Sequence, residues 1–244
     1  MNEFPLITAH TGCMGTPDNS MASGRVALAL GVDIIEDDIR ATKDGILVLS
    51  HDDEIRTAKG ETASLSGMTY RELQEHTETP VAALEELLML VKGSAAMINL
   101  DMKTDEALEP VSRLIRRTDM ADRVFMTGCL YERALKAKSV VPELRKLLNV
   151  NVQHFRTMAY EEAVSRACKE ALDAGCFGLN VPYPVLSGRM KEIAEAAGLL
   201  LYVWTVDEAE EMRRCAELGV SSITTRAVDI VQAVKSNWNR EIRP

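Results

Sequence analysis

The sequence has no pair of cysteines at CxxC spacing, and its five thiols (Cys13, Cys129, Cys168, Cys176 and Cys215) are odd in number and scattered. That argues against a zinc cluster or a disulfide framework and predicts free thiols in a reducing cytoplasm. Basic blocks are missing too. Lys plus Arg number 28 against 37 Asp plus Glu, for a formal charge of −9, so no electrostatic footprint for nucleic acid exists. No apolar run approaches the roughly 18–20 residues that span a bilayer, which argues against an integral membrane segment. The opening Met1-Asn2-Glu3-Phe4-Pro5 has neither the basic start nor the apolar stretch of a signal peptide, and the expected location is cytoplasmic. What the chain does have is apolar residues, 46% of the whole, which suffices for a real core and excludes a disordered protein.

A length of 244 residues suits two small domains or one α/β barrel, and pattern decides between them. Short β-branched runs recur near Leu6–Ala9, Ile34–Ile39, Ile46–Leu49, Ala96–Met102, Val124–Thr127, Leu147–Val152, Gly178–Val181, Leu199–Trp204 and Ser222–Thr224. Amphipathic segments separate most of them. Asp18 or Asn19 can cap a helix that Gly31 stops; Thr69-Tyr70-Arg71-Glu72 and Asp207-Glu208-Ala209-Glu210 carry helix-start signatures, the second before a helix ending at Gly219. Such alternation predicts a parallel sheet with helices outside. Lys43-Asp44-Gly45 is a hairpin turn that folds Ile46–Leu49 back on its predecessor. Without that extra strand eight remain, the number a closed (β/α)8 (TIM) barrel needs. No Pro/Gly/Ser linker or repeat divides the chain, so one domain over residues 1–244 is expected, with Thr57–Thr79 as an irregular polar excursion.

The residues that interrupt the apolar strands carry the chemistry. In Ile34-Ile35-Glu36-Asp37-Asp38-Ile39, period two puts Glu36 and Asp38 on one face and Asp37 on the other. In Asn99-Leu100-Asp101-Met102-Lys103 the same parity aligns Asp101 with Lys103. Neighbouring carboxylates at a strand end repel each other unless a cation sits between them. Hard oxygen donors from Glu36, Asp38 and Asp101 converging on a barrel mouth suit Mg²⁺ or Ca²⁺. Of four histidines, His10 closes the first strand and His51 follows the hairpin strand, at the same end as the acids, which points to a general acid/base pair. His76 and His154 fall outside that set. Cys13 lies in a Gly-rich loop with no positive neighbour to activate it, so it is not expected to be a nucleophile.

Ala9-His10-Thr11-Gly12 with Pro17-Asp18-Asn19-Ser20 resembles the HRG…PENT opening of the glycerophosphodiester phosphodiesterase family. Ile35-Glu36-Asp37-Asp38-Ile39, Thr42-Lys43-Asp44-Gly45 and Ser50-His51-Asp52 resemble its E-x-D, T-K-D-G and H-D motifs, in order. Asp101-Met102-Lys103 is similar to its E-x-K strand, Val203-Trp204-Thr205-Val206 to its WTV segment, and Gly219 to Thr224 to its closing G-V-x-x-I-T. The resemblance covers nearly the whole chain and implies a TIM barrel whose site lies at the carboxyl ends of the strands. It implies metal-dependent hydrolysis of a small-molecule phosphodiester, with Glu36, Asp38 and Asp101 as metal carboxylates. By the same resemblance His10 and His51 are the acid/base pair and Lys103 a phosphate or transition-state contact. Asn19 becomes an orienting amide and Trp204 an aromatic wall. The implied path has a neighbouring substrate hydroxyl attack phosphorus to give a cyclic phosphate that water then opens, and self-association of the chain is compatible with it.

Three positions depart from the pattern. Thr11 stands where the family has Arg, which removes a guanidinium contact and leaves Thr11 as the substrate-side residue, with Lys103 or Arg189 as compensating cations. Asp101 replaces Glu, and Thr225-Arg226-Ala227 replaces the D-x-P ending, a change expected to touch only the last loop. Alternatives are a lyase that stops at the cyclic phosphate, a non-catalytic barrel that binds a polyol phosphate, and a metal-dependent aldolase or isomerase on the same fold.

Overall fold

The computed structural model describes residues 3–242. Eleven strands form in the order β1 (Leu6–Ala9), β2 (Ile34–Ala41), β3 (Leu47–Leu49), β4 (Glu54–Arg56), β5 (Thr62–Ser64), β6 (Met97–Met102), β7 (Val124–Thr127), β8 (Arg145–Asn149), β9 (Gly178–Pro182), β10 (Leu200–Trp204) and β11 (Ser222–Thr225). Eight of them are parallel neighbours in the order β1-β11-β10-β9-β8-β7-β6-β2, and β1 pairs again with β2 through Thr8↔Ile34 and Ala9↔Ile35, closing a barrel. β2 runs past the barrel rim, and its last residues take up β3 in antiparallel register, Ile39↔Leu49 to Ala41↔Leu47. The hairpin turns where expected, with Gly45 at φ 78 and its N–H on the Thr42 carbonyl at 2.9 Å.

Period two sorts each barrel strand into an inner and an outer row. The inner row begins as an apolar plug of Ile34, Phe125, Leu147 and Tyr202, in which Phe125 meets Phe177 and Tyr202 edge-on with centroids 5.6 Å apart. This cluster is separate from the larger core between strands and helices. Two residues further along the strands the same row turns polar: Glu36 after Ile34, Asn99 after Met97, Thr127 after Phe125 and Asn149 after Leu147. The outer row is covered by helices that bury one face each. Helix Tyr160–Asp173, for example, buries Ala163, Val164, Ala167, Cys168 and Ala171 at helical spacing. Among the described residues no helix is long and apolar enough to cross a membrane.

The excursion over residues 57–79 has more structure than its polarity suggested. β4 and β5 pair as a short ribbon, and Tyr70–His76 is a helix with a full Thr69–Glu72 capping box. Leu65 and Leu73 bury against Val48 in a small core of their own, so three apolar side chains hold a stretch that composition alone reads as loop. The first helix starts at Met21 and is capped by Ser20, whose hydroxyl accepts from Ser23 N at 3.2 Å, not by Asp18 or Asn19. Asn19 is left-handed at φ 52 and its side chain is used elsewhere. Strand β8 ends at Asn149 and not Val152, and Asp207 does not cap the helix at Ala209.

Candidate active site

A cavity of about 480 Å³ opens at the carboxyl ends of the barrel strands. Glu36, Asp38, Asp101, His10, His51, Lys103, Asn19 and Trp204 all line it. Thr11 does not: it is 2% exposed, and its hydroxyl accepts the Asn19 backbone N–H at 2.6 Å beneath the wall. Arg189, the other cation suggested by sequence, does not line the cavity either; it is an exposed residue held by Glu161 and Glu192. His76 and His154 lie outside the lining as well.

The three carboxylates each present an oxygen within 4.8 Å of the others. Strand register explains the meeting, because β2 and β6 pair Asp38 with Asp101 and Glu36 with Asn99. Burial pushes Glu36 well above the usual carboxylate range, and the neighbouring charges of Asp38, Asp101 and Asp37 push it further. Lys103 Nζ sits 2.7 Å from Asp38 Oδ1 and 2.9 Å from Asp101 Oδ2. Burial lowers the lysine, but those two carboxylates outweigh it and hold the ammonium above its ordinary value. Even so, Asp101 Oδ1 is buried with no hydrogen-bond partner. An orphaned buried carboxylate oxygen in a cluster of three acids could serve, with its neighbours, to hold a hard divalent cation. Gly128 completes the cradle, since a Cβ there would fall 2.2 Å from Asp101 Oδ1.

Asn19 ties the acids to His51. Only one orientation of its amide satisfies both ends: Nδ2 donates to Asp37 Oδ1 at 2.8 Å and Asp38 Oδ2 at 3.0 Å, while Oδ1 accepts from His51 N at 3.3 Å. Asp37 lies on the outer row, as period two requires, fully buried and pushed up by burial and by Asp38. His51 is exposed at the rim, with Nδ1 2.7 Å from Asp52 Oδ1, and Arg40 Nε donates to its carbonyl at 2.8 Å. His10 Nδ1 lies 2.9 Å from the Thr11 carbonyl and 3.8 Å from Glu36 Oε2. The Thr11 carbonyl calls for a proton on Nδ1, while Arg226 Nε, 3.2 Å away, calls for a lone pair there.

Sequence reading missed the polar floor and part of the rim. Thr127 donates to Asn99 Oδ1 at 2.9 Å, and Asn149 Oδ1 accepts from Gly128 N at 2.9 Å and Asn180 Nδ2 at 3.4 Å. The inner-row parity that singled out Glu36 and Asp101 would have found Asn99, Asn149 and Asn180 too. Arg226 and Asp18 line the mouth beside His10, and only the departure of Thr225-Arg226-Ala227 from the family pattern pointed to them.

Fold and site together define a TIM barrel with a carboxylate centre and two histidines at the catalytic end of its strands. The model of the glycerophosphoryl diester phosphodiesterase family matches residues 10–230, and the chain belongs to that family. A glycerophosphodiester phosphodiesterase of Caldanaerobacter subterraneus is 26% identical over 237 residues, covering 90% of this chain and 93% of the relative. One from Bacillus altitudinis is 26% identical over 251 residues, covering 94% and 99%. Among solved structures, an Oleispira antarctica phosphodiesterase in complex with the product sn-glycerol-3-phosphate superposes with a TM-score of 0.81 at 19% identity, over 96% of this chain and 97% of that one.

Proposed function

We propose that the chain hydrolyses a glycerophosphodiester or a related phosphodiester to an alcohol and a phosphomonoester, with Mg²⁺ or Ca²⁺ as its cation. The observation that carries this reading is the meeting of Glu36, Asp38 and Asp101 with His10, His51 and Lys103 around one cavity. The three carboxylates would hold the cation, which supplies positive charge to offset the phosphoryl oxygens as negative charge develops. His10 and His51 divide the proton work: one takes the proton of the attacking hydroxyl and the other returns one to the departing alcohol. A neighbouring hydroxyl of the substrate is the first nucleophile, giving a cyclic phosphate, and water opens the ring with the histidines exchanging roles. Lys103, tied to two of the acids, adds charge beside them, and Trp204, about a third exposed at the rim, walls the alcohol side. The whole chain acts as one catalytic domain of the cytoplasm.

The test is a panel of phosphodiesters scored by ³¹P NMR for phosphomonoester and cyclic phosphate, with and without EDTA. Turnover that EDTA abolishes and added Mg²⁺ or Ca²⁺ restores supports the reading. Full turnover after exhaustive chelation removes the cation from it, cyclic phosphate as the end product makes the enzyme a lyase, and no turnover of any phosphodiester sinks it.

A further inference from the structure

Three cations line the cavity: Lys103, Arg133 and Arg226. Lys103 is committed to Asp38 and Asp101. Arg133 is spent on structure, donating to Asp105, to the Met102 and Gly128 carbonyls at 2.6 Å each, and to the Lys103 carbonyl. Neither has two parallel donors to spare for an anion. Arg226 does.

Its backbone is fixed and its side chain is not. Arg226 N donates to Asp207 Oδ1 at 2.8 Å, and the Thr225 hydroxyl donates to that same oxygen at 2.9 Å. The Arg226 carbonyl accepts from Met14 N at 2.9 Å, which joins the last loop to the first. This explains why Asp207 is not a helix cap: it holds the loop that carries Arg226. The side chain then reaches back over the mouth, with Nε 3.2 Å from His10 Nδ1 and Nη2 3.2 Å from Asp18 Oδ1. Both contacts are weak. Arg226 Nε can donate to His10 Nδ1 only when the ring proton is on the other nitrogen, whereas the Thr11 carbonyl needs it on Nδ1, so the two contacts compete. The Asp18 pair is half-exposed on both sides, so water screens most of its attraction.

We propose that Arg226 is the substrate's phosphate contact, its planar fork taking the two non-bridging oxygens and leaving Asp18 on binding. The assignment rests on the phosphodiesterase reading. It also accounts for two departures from the family pattern at once: position 11 holds a buried Thr and brings no cation, and the last loop brings one from the other end of the chain. Gly12, at φ 75, makes room for the counter-ion, because a Cβ there would fall 1.9 Å from Asp18 Oδ1.

The experiment compares wild type, Arg226→Met, Arg226→Lys and Asp18→Asn. For a glycerophosphodiester, Arg226→Met should lower kcat/KM by about 10–100-fold, mostly through KM, as expected for losing a hydrogen-bonded charge. Arg226→Lys should recover only part, because an ammonium cannot make two parallel bonds. Inhibition by inorganic phosphate should weaken in the same order. Asp18→Asn should strengthen phosphate inhibition by about 2–5-fold, and only while Arg226 is present. The cation-induced shift in melting temperature serves as the fold control and should be unchanged in every variant. Unchanged KM and phosphate inhibition in Arg226→Met overturn the proposal, as does an Asp18→Asn effect that survives in the Arg226→Met background. If wild type turns over no phosphodiester, the function falls, and phosphate binding followed by calorimetry in wild type and Arg226→Met decides the arginine separately.

Discussion

Glu36→Gln separates electrostatic crowding from structural need. At 4.8 Å and an effective dielectric near 20, each like-charge pair in the carboxylate trio costs about 3.5 kcal/mol. Lys103, at 2.7 and 2.9 Å, gives Asp38 and Asp101 about 6 kcal/mol of attraction each on the same scale. Glu36 lacks such a partner; its close contacts are Thr11 N at 3.3 Å and His10 Nδ1 at 3.8 Å. Burial first, then the charges of Asp38, Asp101 and Asp37, raise Glu36 well above 4.5 against the opposing charge of Lys103, favouring its protonated state. Gln mimics that state. The folded protein then binds a proton that the unfolded chain releases, so cation-free stability falls as pH rises above 4.5 toward the folded-state value. Cation displaces the proton and restores stability at the high end of that range.

The assay is melting temperature by scanning fluorimetry across pH, after EDTA treatment and with Mg²⁺ or Ca²⁺ added back. For wild type, cation at a hundred times its Kd should add about 2.7 kcal/mol, which is about 5–10 °C for a chain of this size. Cation-free Glu36→Gln should melt at or above the wild-type temperature, lose most of the cation shift and show a flatter pH slope. A mutant that melts several degrees lower without cation, yet keeps the full shift, would refute the account.

Gly128→Ala should abolish the cation shift and also lower the cation-free melting temperature, since its Cβ would land on Asp101 Oδ1 and on the Met102 backbone at a φ of 70; calorimetric titration with Mg²⁺ and scanning fluorimetry check this. His10→Ala and His51→Ala should each lower kcat by about 10²–10⁴-fold, the double mutant should cost far less than the product of the two, and His76→Ala and His154→Ala should keep wild-type rates. All five thiols are buried and burial pushes Cys129 to about 12 and Cys215 to about 11, so native protein should react with a thiol reagent only as fast as it unfolds. Rapid modification of Cys13 with loss of turnover would count against that.

The barrel was legible because its strands are short, apolar and spaced by helical segments, and because Lys43-Asp44-Gly45 marks the one antiparallel return. The carboxylate centre was legible because a charge on the inner row of an apolar strand has few reasons to be there, and period two told which acids share that row. What escaped shows the limit of the same logic. The β4–β5 ribbon has strands of three residues with only one half-buried side chain each, too little for periodicity to register. Asn99, Asn149 and Asn180 lie on the inner row but carry no charge, so they drew no notice although hydrogen bonding in a barrel floor needs them.

Thr11 and Arg226 failed for a different reason, which is that sequence neighbours and spatial neighbours diverge at a barrel's closure. β1 and β11 are the two ends of the chain and lie side by side, Ala9 against Thr225. The residues that follow them, His10 and Arg226, therefore meet across 216 positions of sequence. Thr11, next to His10 in the chain, turns its hydroxyl under the wall to hold Asn19 N, and so cannot face the cavity. Of the two strands beside β1, β2 brings carboxylates to the mouth, and the loop after β11 brings Arg226. The cavity needs that cation, because Asp18, Glu36, Asp38 and Asp101 face it against Lys103, which they hold, and Arg133, which the backbone holds. On the proposed reading, an anionic phosphodiester entering such a mouth finds no uncommitted positive fork until a divalent cation fills the carboxylate centre and Arg226 leaves Asp18. On that reading, positive charge from those two sources turns an acidic cavity into a site for a phosphate.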